Sequence, residues 1–328
     1  MSPQTADENA AWTMIRLLQW TTDHLARKGV DEARLASEVL LAHAAGCRRI
    51  DLYTRFDTIL DEDRLDTFRS LVRRAATHEP VAHLVGQKEF FSLTFLVTCD
   101  TLIPRPETET VVECVVDHCM KTGQARPKLL DVGTGSGCLA ITTLVQVPGA
   151  TAVATDTSRA ALAVARKNAQ RHGVADQLTF LEADLLDLPG DFGAPGTFDL
   201  IMSNPPYVPA AEWHGLDPSV RDFEPHAALV SGEDGLSFYR AIAAKASSLL
   251  APGGVIVVEV GDDRGPAVKD VMTGPGVELV HRATWKDRVV GKERAMLFGL
   301  PERDRTALAR VVELMKPASS ERIGCAVF

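Results

Sequence analysis

The spacing of apolar residues changes along the chain, and the changes divide it. Near the start they recur at helical intervals: Trp12, Ile15, Leu18 and Leu25 share one stripe, Leu35, Val39 and Leu40 another. Asp61 can cap a third helix that carries Leu65, Phe68, Leu71 and Val72, and Gly29 and Gly46 punctuate the joins. This predicts an all-helical domain over residues 1–79. Residues 89–97 instead suit a pair of short strands or a hairpin, so 80–105 is expected to link two domains. In Leu102-Ile103-Pro104-Arg105-Pro106-Glu107-Thr108-Glu109 the prolines forbid regular structure. Pro106 can open the next helix, with Glu107 and Glu109 favoured by its dipole and Val111, Val112 and Val115 as its core face.

From Lys128 onward strand and helix patterns alternate, the mark of an α/β domain with a parallel sheet covered on both faces. Strands are expected at 128–133, 151–156, 178–184, 198–204, 254–261, 277–282 and 294–300, and helices at 137–147, 158–172 and 235–250. Residues 205–234 form a long polar loop with prolines, of the kind that more often serves as a functional lid than as slack. Beyond Leu300 an extension over 301–328 could hold one amphipathic helix at 303–316.

Composition narrows the class. At 328 residues with 45% hydrophobic and 24% charged positions, the chain can build a good core and two domains. A formal net charge of -9 argues against broad grip on nucleic-acid phosphates. The six cysteines (47, 99, 114, 119, 138, 325) form no Cys-x-x-Cys and no metal-like cluster with histidine, so no metal is expected and free thiols in a reducing cytoplasm are. No apolar run reaches the roughly 20 residues of a membrane helix. The polar, acidic start is unlike a targeting peptide. The last four residues formally fit a prenylation box but lack a preceding basic run.

Chemistry gathers where the strands end. Leu129-Leu130-Asp131-Val132 runs into Gly133-Thr134-Gly135-Ser136-Gly137 and then a helix. This Gly-x-Gly-x-Gly spacing differs from the dinucleotide fingerprint, and the Asp131 carboxylate beside it suits a cationic amino group better than a phosphate. Asp156 ends the next strand, about 20 residues past the last glycine, where an acidic side chain accepts ribose hydroxyls; it could equally cap the following helix. Asp184 ends the third strand in Glu182-Ala183-Asp184-Leu185, placed for the exocyclic amine of an adenine or for a turn. Phe198-Asp199-Leu200-Ile201-Met202-Ser203 then stops at Asn204-Pro205-Pro206-Tyr207. Asn204 offers an amide oxygen and Pro205 a carbonyl, two acceptors that can grip an incoming NH2, while Tyr207 adds a flat face for a planar group. A strand-end turn uses the same residue types.

The combination of glycine turn and three strand-end carboxylates resembles class I S-adenosylmethionine-dependent methyltransferases from about residue 128 to 300. That resemblance implies a Rossmann-like, seven-stranded, mostly parallel sheet with an antiparallel last strand, and a methyltransferase domain over 106–300. It implies S-adenosylmethionine, leaving as S-adenosylhomocysteine, against Asp131, the 133–137 turn, Asp156, Asp184, Leu185 and Asn204. Asn-Pro-Pro-Tyr limits the target to a planar nitrogen. The runs Gly86-Gln87-Lys88-Glu89-Phe90 and Ile103-Pro104-Arg105-Pro106-Glu107-Thr108-Glu109 are similar to the linker of the HemK-like (PrmC-type) peptide chain release factor glutamine methyltransferases. Glu224-Pro225, Gly232-Glu233-Asp234-Gly235-Leu236, Glu259-Val260-Gly261 and Asp287-Arg288-Val289-Val290 follow the same family's pattern. His83 departs from it, standing where that family has Tyr. The resemblance implies a protein partner, the Gly-Gly-Gln glutamine of class 1 release factors, gripped by Asn204, Pro205, Pro206 and Tyr207, with the helical domain as its recognition module. With the acidic charge and no long apolar run, no direct nucleic-acid or membrane contact is expected. Arg105 is expected either to contact substrate or to form a structural ion pair. Alternatives are a ribosomal-protein glutamine methyltransferase, a nucleic-acid adenine N6-methyltransferase, or a silent adaptor for release factors.

Overall fold

The computed structural model describes residues 12–286 and 291–301. The polar N-terminus, Asp287-Arg288-Val289-Val290, the expected helix at 303–316 and Cys325 lie outside the described residues. The described chain forms two compact units, one holding the residues up to Pro104 together with Ala211–Ala228, the other Arg105–Ala210 and the residues from Leu229 onward.

In the first unit α1 (Met14–Arg27), α2 (Ala33–Ala45), α3 (Asp51–Thr54), α4 (Glu62–Ala75) and α5 (Val81–Val85) bury Leu18, Leu25, Leu40, Leu41, Leu52, Phe68 and Val72. The Asp61 carboxylate caps α4, accepting the Arg64 N–H at 2.9 Å. Trp12 does not share the α1 stripe. Thr13 is extended and bridges to Ile59, so helical register starts at Met14, which takes the buried place, and Trp12 stays exposed. A hairpin follows, β1 (Gln87–Phe90) with β2 (Leu93–Leu96). Its two-residue turn puts Phe91 at φ 51° and Ser92 at φ 60°, a left-handed pair that usually calls for Asn or Gly. Beyond the hairpin the Ile103 N–H donates to the buried Glu224 carboxylate at 2.9 Å. That bond ties the segment before Pro104 to the 211–228 stretch. Residues 205–234, expected as one loop, contain several short helical turns.

The second unit opens with α6 (Glu109–Thr122), after a single turn of 3-10 helix over Pro106–Thr108. Then come β3 (Lys128–Val132), α7 (Cys138–Gln146), β4 (Thr151–Asp156), α8 (Arg159–Arg171), β5 (Leu178–Glu182) and β6 (Phe198–Ser203). Past α9 (Pro218–Arg221), which belongs to the first unit, follow α10 (Ser237–Leu249), β7 (Leu250–Glu259), α11 (Gly265–Met272), β8 (Val280–Lys286) and β9 (Glu293–Gly299). The sheet order is β5-β4-β3-β6-β7-β9-β8. All neighbours run parallel except β9, antiparallel to both β7 and β8. The expected α/β fold with an antiparallel last strand is present. The strand expected at 277–282 lies later, at Val280–Lys286. α11 was not anticipated, because Gly265-Pro266 has the look of a turn; proline at the first helical turn is tolerated, and Val268 and Met272 bury one face. No described helix is long and apolar enough to cross a membrane.

Strand order reverses at β3, which carries β4 on one side and β6 on the other. The crevice beyond the carboxyl ends at such a reversal is where open α/β sheets bind ligands. For the helical unit, Asp61→Ala is expected to lower stability by about 1 kcal/mol through loss of the α4 cap. A urea melt followed on that unit checks this.

Candidate active site

Two strand ends meet at the reversal. The buried Ser203 hydroxyl at the end of β6 donates to the Val132 carbonyl at the end of β3, at 2.8 Å. Asp131 is fully buried on β3. Its Oδ2 accepts the Thr134 hydroxyl at 2.6 Å and the Ala140 N–H at 3.2 Å, while its Oδ1 has no partner. Burial pushes this carboxyl up to about 7, against those two hydrogen bonds.

The glycines of the turn do different work. Gly133 and Gly135 have positive φ, and a Cβ on either would meet no atom within 4 Å, so the turn faces open space there. At Gly137, φ 84°, a Cβ would sit 2.7 Å from Ile141 Cδ1 and 3.2 Å from Ala165 Cβ, so this glycine lets α7 pack against α8. Thr134 is buried and donates its N–H to the Thr155 carbonyl at 2.8 Å. Ser136 is buried too, and its carbonyl accepts from the Asn168 amide at 2.9 Å.

Asp156 sits at the end of β4, its two oxygens accepting the Gly135 and Ser158 N–H groups, each at 2.9 Å. It therefore braces the glycine turn and the start of α8, and each oxygen keeps a further lone pair for a ligand. The α8 cap is Ser158, not Asp156. Asp184 does not end the third strand as expected. The β5 ladder stops at Glu182, and Asp184 lies exposed two residues beyond it. Leu185 follows at φ 51°, a left-handed conformation that cannot continue a strand.

On the β6 side, the Asn204 amide NH2 donates to the Thr108 hydroxyl at 3.1 Å. Thr108 is buried, and its side chain neighbours the carboxyl of Glu259, the buried last residue of β7, whose Oε2 has no hydrogen-bond partner. Burial raises the Glu259 carboxyl to about 7, opposed by the neighbouring Thr108 hydroxyl and the Arg294 charge. Pro205 is buried and Pro206 half-buried. The Tyr207 ring lies on Gly261, where a Cβ would come within 2.7 Å of it, and a Cβ at Gly235 would fall 2.3 Å from the Tyr207 carbonyl. Burial, and next the Glu259 charge, raise the Tyr207 hydroxyl well above its usual range. Arg105 lies near enough to influence both Glu259 and Tyr207. Nothing local in the sequence singles out Thr108, Glu259 or Gly261 as individual groups. Their only signal was membership in runs of an unusual pattern.

Residues 16–86 match the PrmC N-terminal domain and residues 109–215 the methyltransferase small domain. The release factor glutamine methyltransferase of Geobacter sulfurreducens is 42% identical over 81% of this chain and 90% of its own length. That of Chlorobaculum tepidum is 41% identical over 81% and 91%. The chain belongs to the release factor glutamine methyltransferase family. Its fold is also found in the hMettl16 catalytic domain, solved in complex with MAT2A 3'UTR hairpin 6, at 18% identity and a TM-score of 0.51 over 71% of this chain and 82% of that one.

In this release factor glutamine methyltransferase family member, the buried Asp131 carboxyl has a measurable consequence. Its folded value near 7 exceeds the ordinary carboxyl value near 4, so the folded state holds a proton that the unfolded state has released. Stability is full below about pH 4 and is lost as pH rises to about 7. Between pH 5 and pH 8 the ligand-free protein is expected to lose on the order of 2–3 kcal/mol through this group, a loss absent from Asp131→Asn. Urea melts of both proteins across that range measure it.

Proposed function

We propose that the protein transfers a methyl group from S-adenosylmethionine to the side-chain nitrogen of the glutamine in the Gly-Gly-Gln motif of class 1 peptide chain release factors, working in the cytoplasm. The five described cysteines are free, in keeping with a reducing compartment. The net charge of -9 favours a protein over a nucleic acid as partner.

The observation that carries the reading is the anchored Asn204 amide. Its NH2 end is committed to Thr108, so the group it offers to a substrate is its oxygen. Beside the Pro205 carbonyl, that oxygen forms a pair of acceptors matched to the two protons of a glutamine NH2. A purine exocyclic amine has the same donors, but reaching one in a duplex requires extraction from a stack. A glutamine preceded by two glycines is flexible and narrow.

The residues at the strand ends fit the methyl donor. Asp131 keeps one buried oxygen unpartnered, which suits a cationic amino group, and Gly133 and Gly135 leave open space over the turn. Asp156, with lone pairs to spare, is assigned the ribose hydroxyls; Asp184 and Leu185 are assigned the adenine. S-adenosylmethionine supplies a methyl already activated by its sulfonium. An amide nitrogen is a poor nucleophile, so the protein's task is alignment. Asn204 and Pro205 hold the NH2, favour pyramidal character as the bond forms, and aim the lone pair; Tyr207, seated on Gly261 and Gly235, packs on the planar amide. Orientation of this kind can supply most of the acceleration. The amide proton passes to water after transfer, when the nitrogen has become acidic. The first unit is assigned to grip the release factor.

The deciding experiment is mass spectrometry of intact release factor after reaction. A gain of about 14 daltons on the glutamine, blocked when either preceding glycine is made bulky, is expected from the one added CH2. Methyl on DNA or RNA instead would show the assignment to be wrong. Asn204→Ala should keep S-adenosylmethionine affinity and lose on the order of 100-fold in turnover. Calorimetry and single-turnover assays separate the two effects.

A further inference from the structure

An asparagine amide is nearly symmetric in shape, and turned over it would present NH2 to the substrate, donor against donor. Something must hold Asn204 the productive way round. Its NH2 donates to Thr108 at 3.1 Å, but a hydroxyl can as readily donate as accept. Thr108 has one proton, and where that proton goes decides which end of Asn204 it can receive. Glu259 provides the answer. Its carboxyl is buried at 3% exposure beside Thr108, which is 2% exposed, and its Oε2 has no hydrogen-bond partner. An ionised carboxylate only accepts, so a Thr108 hydroxyl turned toward it would leave the Thr108 oxygen to receive the Asn204 NH2.

We propose that Thr108 and Glu259 are positioning residues for methyl transfer: the Glu259 carboxylate takes the Thr108 proton, Thr108 thereby receives the Asn204 NH2, and the Asn204 oxygen is turned to the substrate nitrogen. This rests on the glutamine-amide reading of the site. The two residues touch neither substrate nor cofactor and act through Asn204.

The relay is sensitive to protonation. With a proton on Glu259, the carboxyl can donate to Thr108, whose own proton is then released toward the Asn204 oxygen, and the amide turns over. The groups that face Glu259 are Arg294 of β9, Arg105 and Glu107 before α6, and Tyr207 after β6. Tyr239 of α10 donates its hydroxyl to the Glu259 backbone carbonyl at 2.8 Å, and the Cys138 thiol of α7 lies within electrostatic reach. Arg294 and Arg105 favour the charged carboxylate and Glu107 opposes it. Burial outweighs the arginines and brings the carboxyl up to about 7, within the working range of a cytoplasmic enzyme.

The test is turnover of a purified class 1 release factor at saturating S-adenosylmethionine and release factor, from pH 5.5 to 8.5. Wild type should lose turnover as pH falls through about 7. Glu259→Gln, which can still accept from Thr108 but cannot titrate, should lack that acid limb. Thr108→Val should lose tenfold or more in turnover with unchanged calorimetric affinity for S-adenosylmethionine, and Thr108→Ser should recover most of it. The serine and valine pair keeps the test decisive if Glu259→Gln does not fold. Wild-type turnover in folded Thr108→Val, or an acid limb that survives in Glu259→Gln, overturns the relay. A wild-type protein that methylates no release factor at any pH overturns instead the substrate reading on which the relay rests.

Discussion

The parallel pairing of β3 with β6 is the constraint on which the site depends. These strands are far apart in the chain, and their register sets Val132 opposite Ser203, closed by the Ser203 hydroxyl on the Val132 carbonyl. The groups proposed to hold the methyl donor hang from β3 and its neighbours β4 and β5; Asn204, Pro205 and Tyr207, proposed to hold the acceptor amide, follow β6. A one-residue slip would move Asn204 by more than 3 Å and turn the side chains of β6 to the opposite face. Both faces of these strands are buried, so the register is held by the core and not by the site. The chemistry inherits its precision from packing.

Two buried carboxyls stand on either side of that pairing, Asp131 and Glu259, each with one oxygen lacking a protein partner. A buried, half-satisfied carboxyl is costly, and a domain with a sound core does not need one for folding. Their positions account for them. Asp131 lies under the open glycine turn, where a cationic group can complete it. Glu259 lies beside Thr108, the residue that receives the Asn204 amide. On the proposed reading, stability is given up at both places for a site whose charges are set before a ligand arrives.

The glycines divide along similar lines. Gly133 and Gly135 preserve backbone shape and open space, Gly137 permits helix packing, and Gly261 and Gly235 leave room for Tyr207. Only the last pair packs against Tyr207, from just past β7 and from the loop before α10, remote in sequence from the tyrosine they seat.

What the amino-acid sequence determined by itself was whatever depends on neighbours along the chain. Alternating strand and helix periods specified an α/β unit behind a helical one. Asp61 marked a cap, Pro205 and Pro206 stopped β6, and closely spaced glycines after Leu129-Leu130-Asp131 marked a turn at a strand end. The strand-end positions of Asp131, Asp156 and Asn204 were legible for the same reason. Where tertiary contacts decided, local pattern failed. Trp12 lost its place in the helical stripe to Met14 because Thr13 bridges to Ile59. Asp184 fell outside β5 because the β4 ladder ended first. Thr108, Asn204 and Glu259 met only when the order of strands was settled: 96 residues separate the hydrogen-bonded Thr108 and Asn204. Periodicity reports which face of an element is buried. It carries no information on which elements lie side by side, and contacts across three of them exist only in the folded sheet.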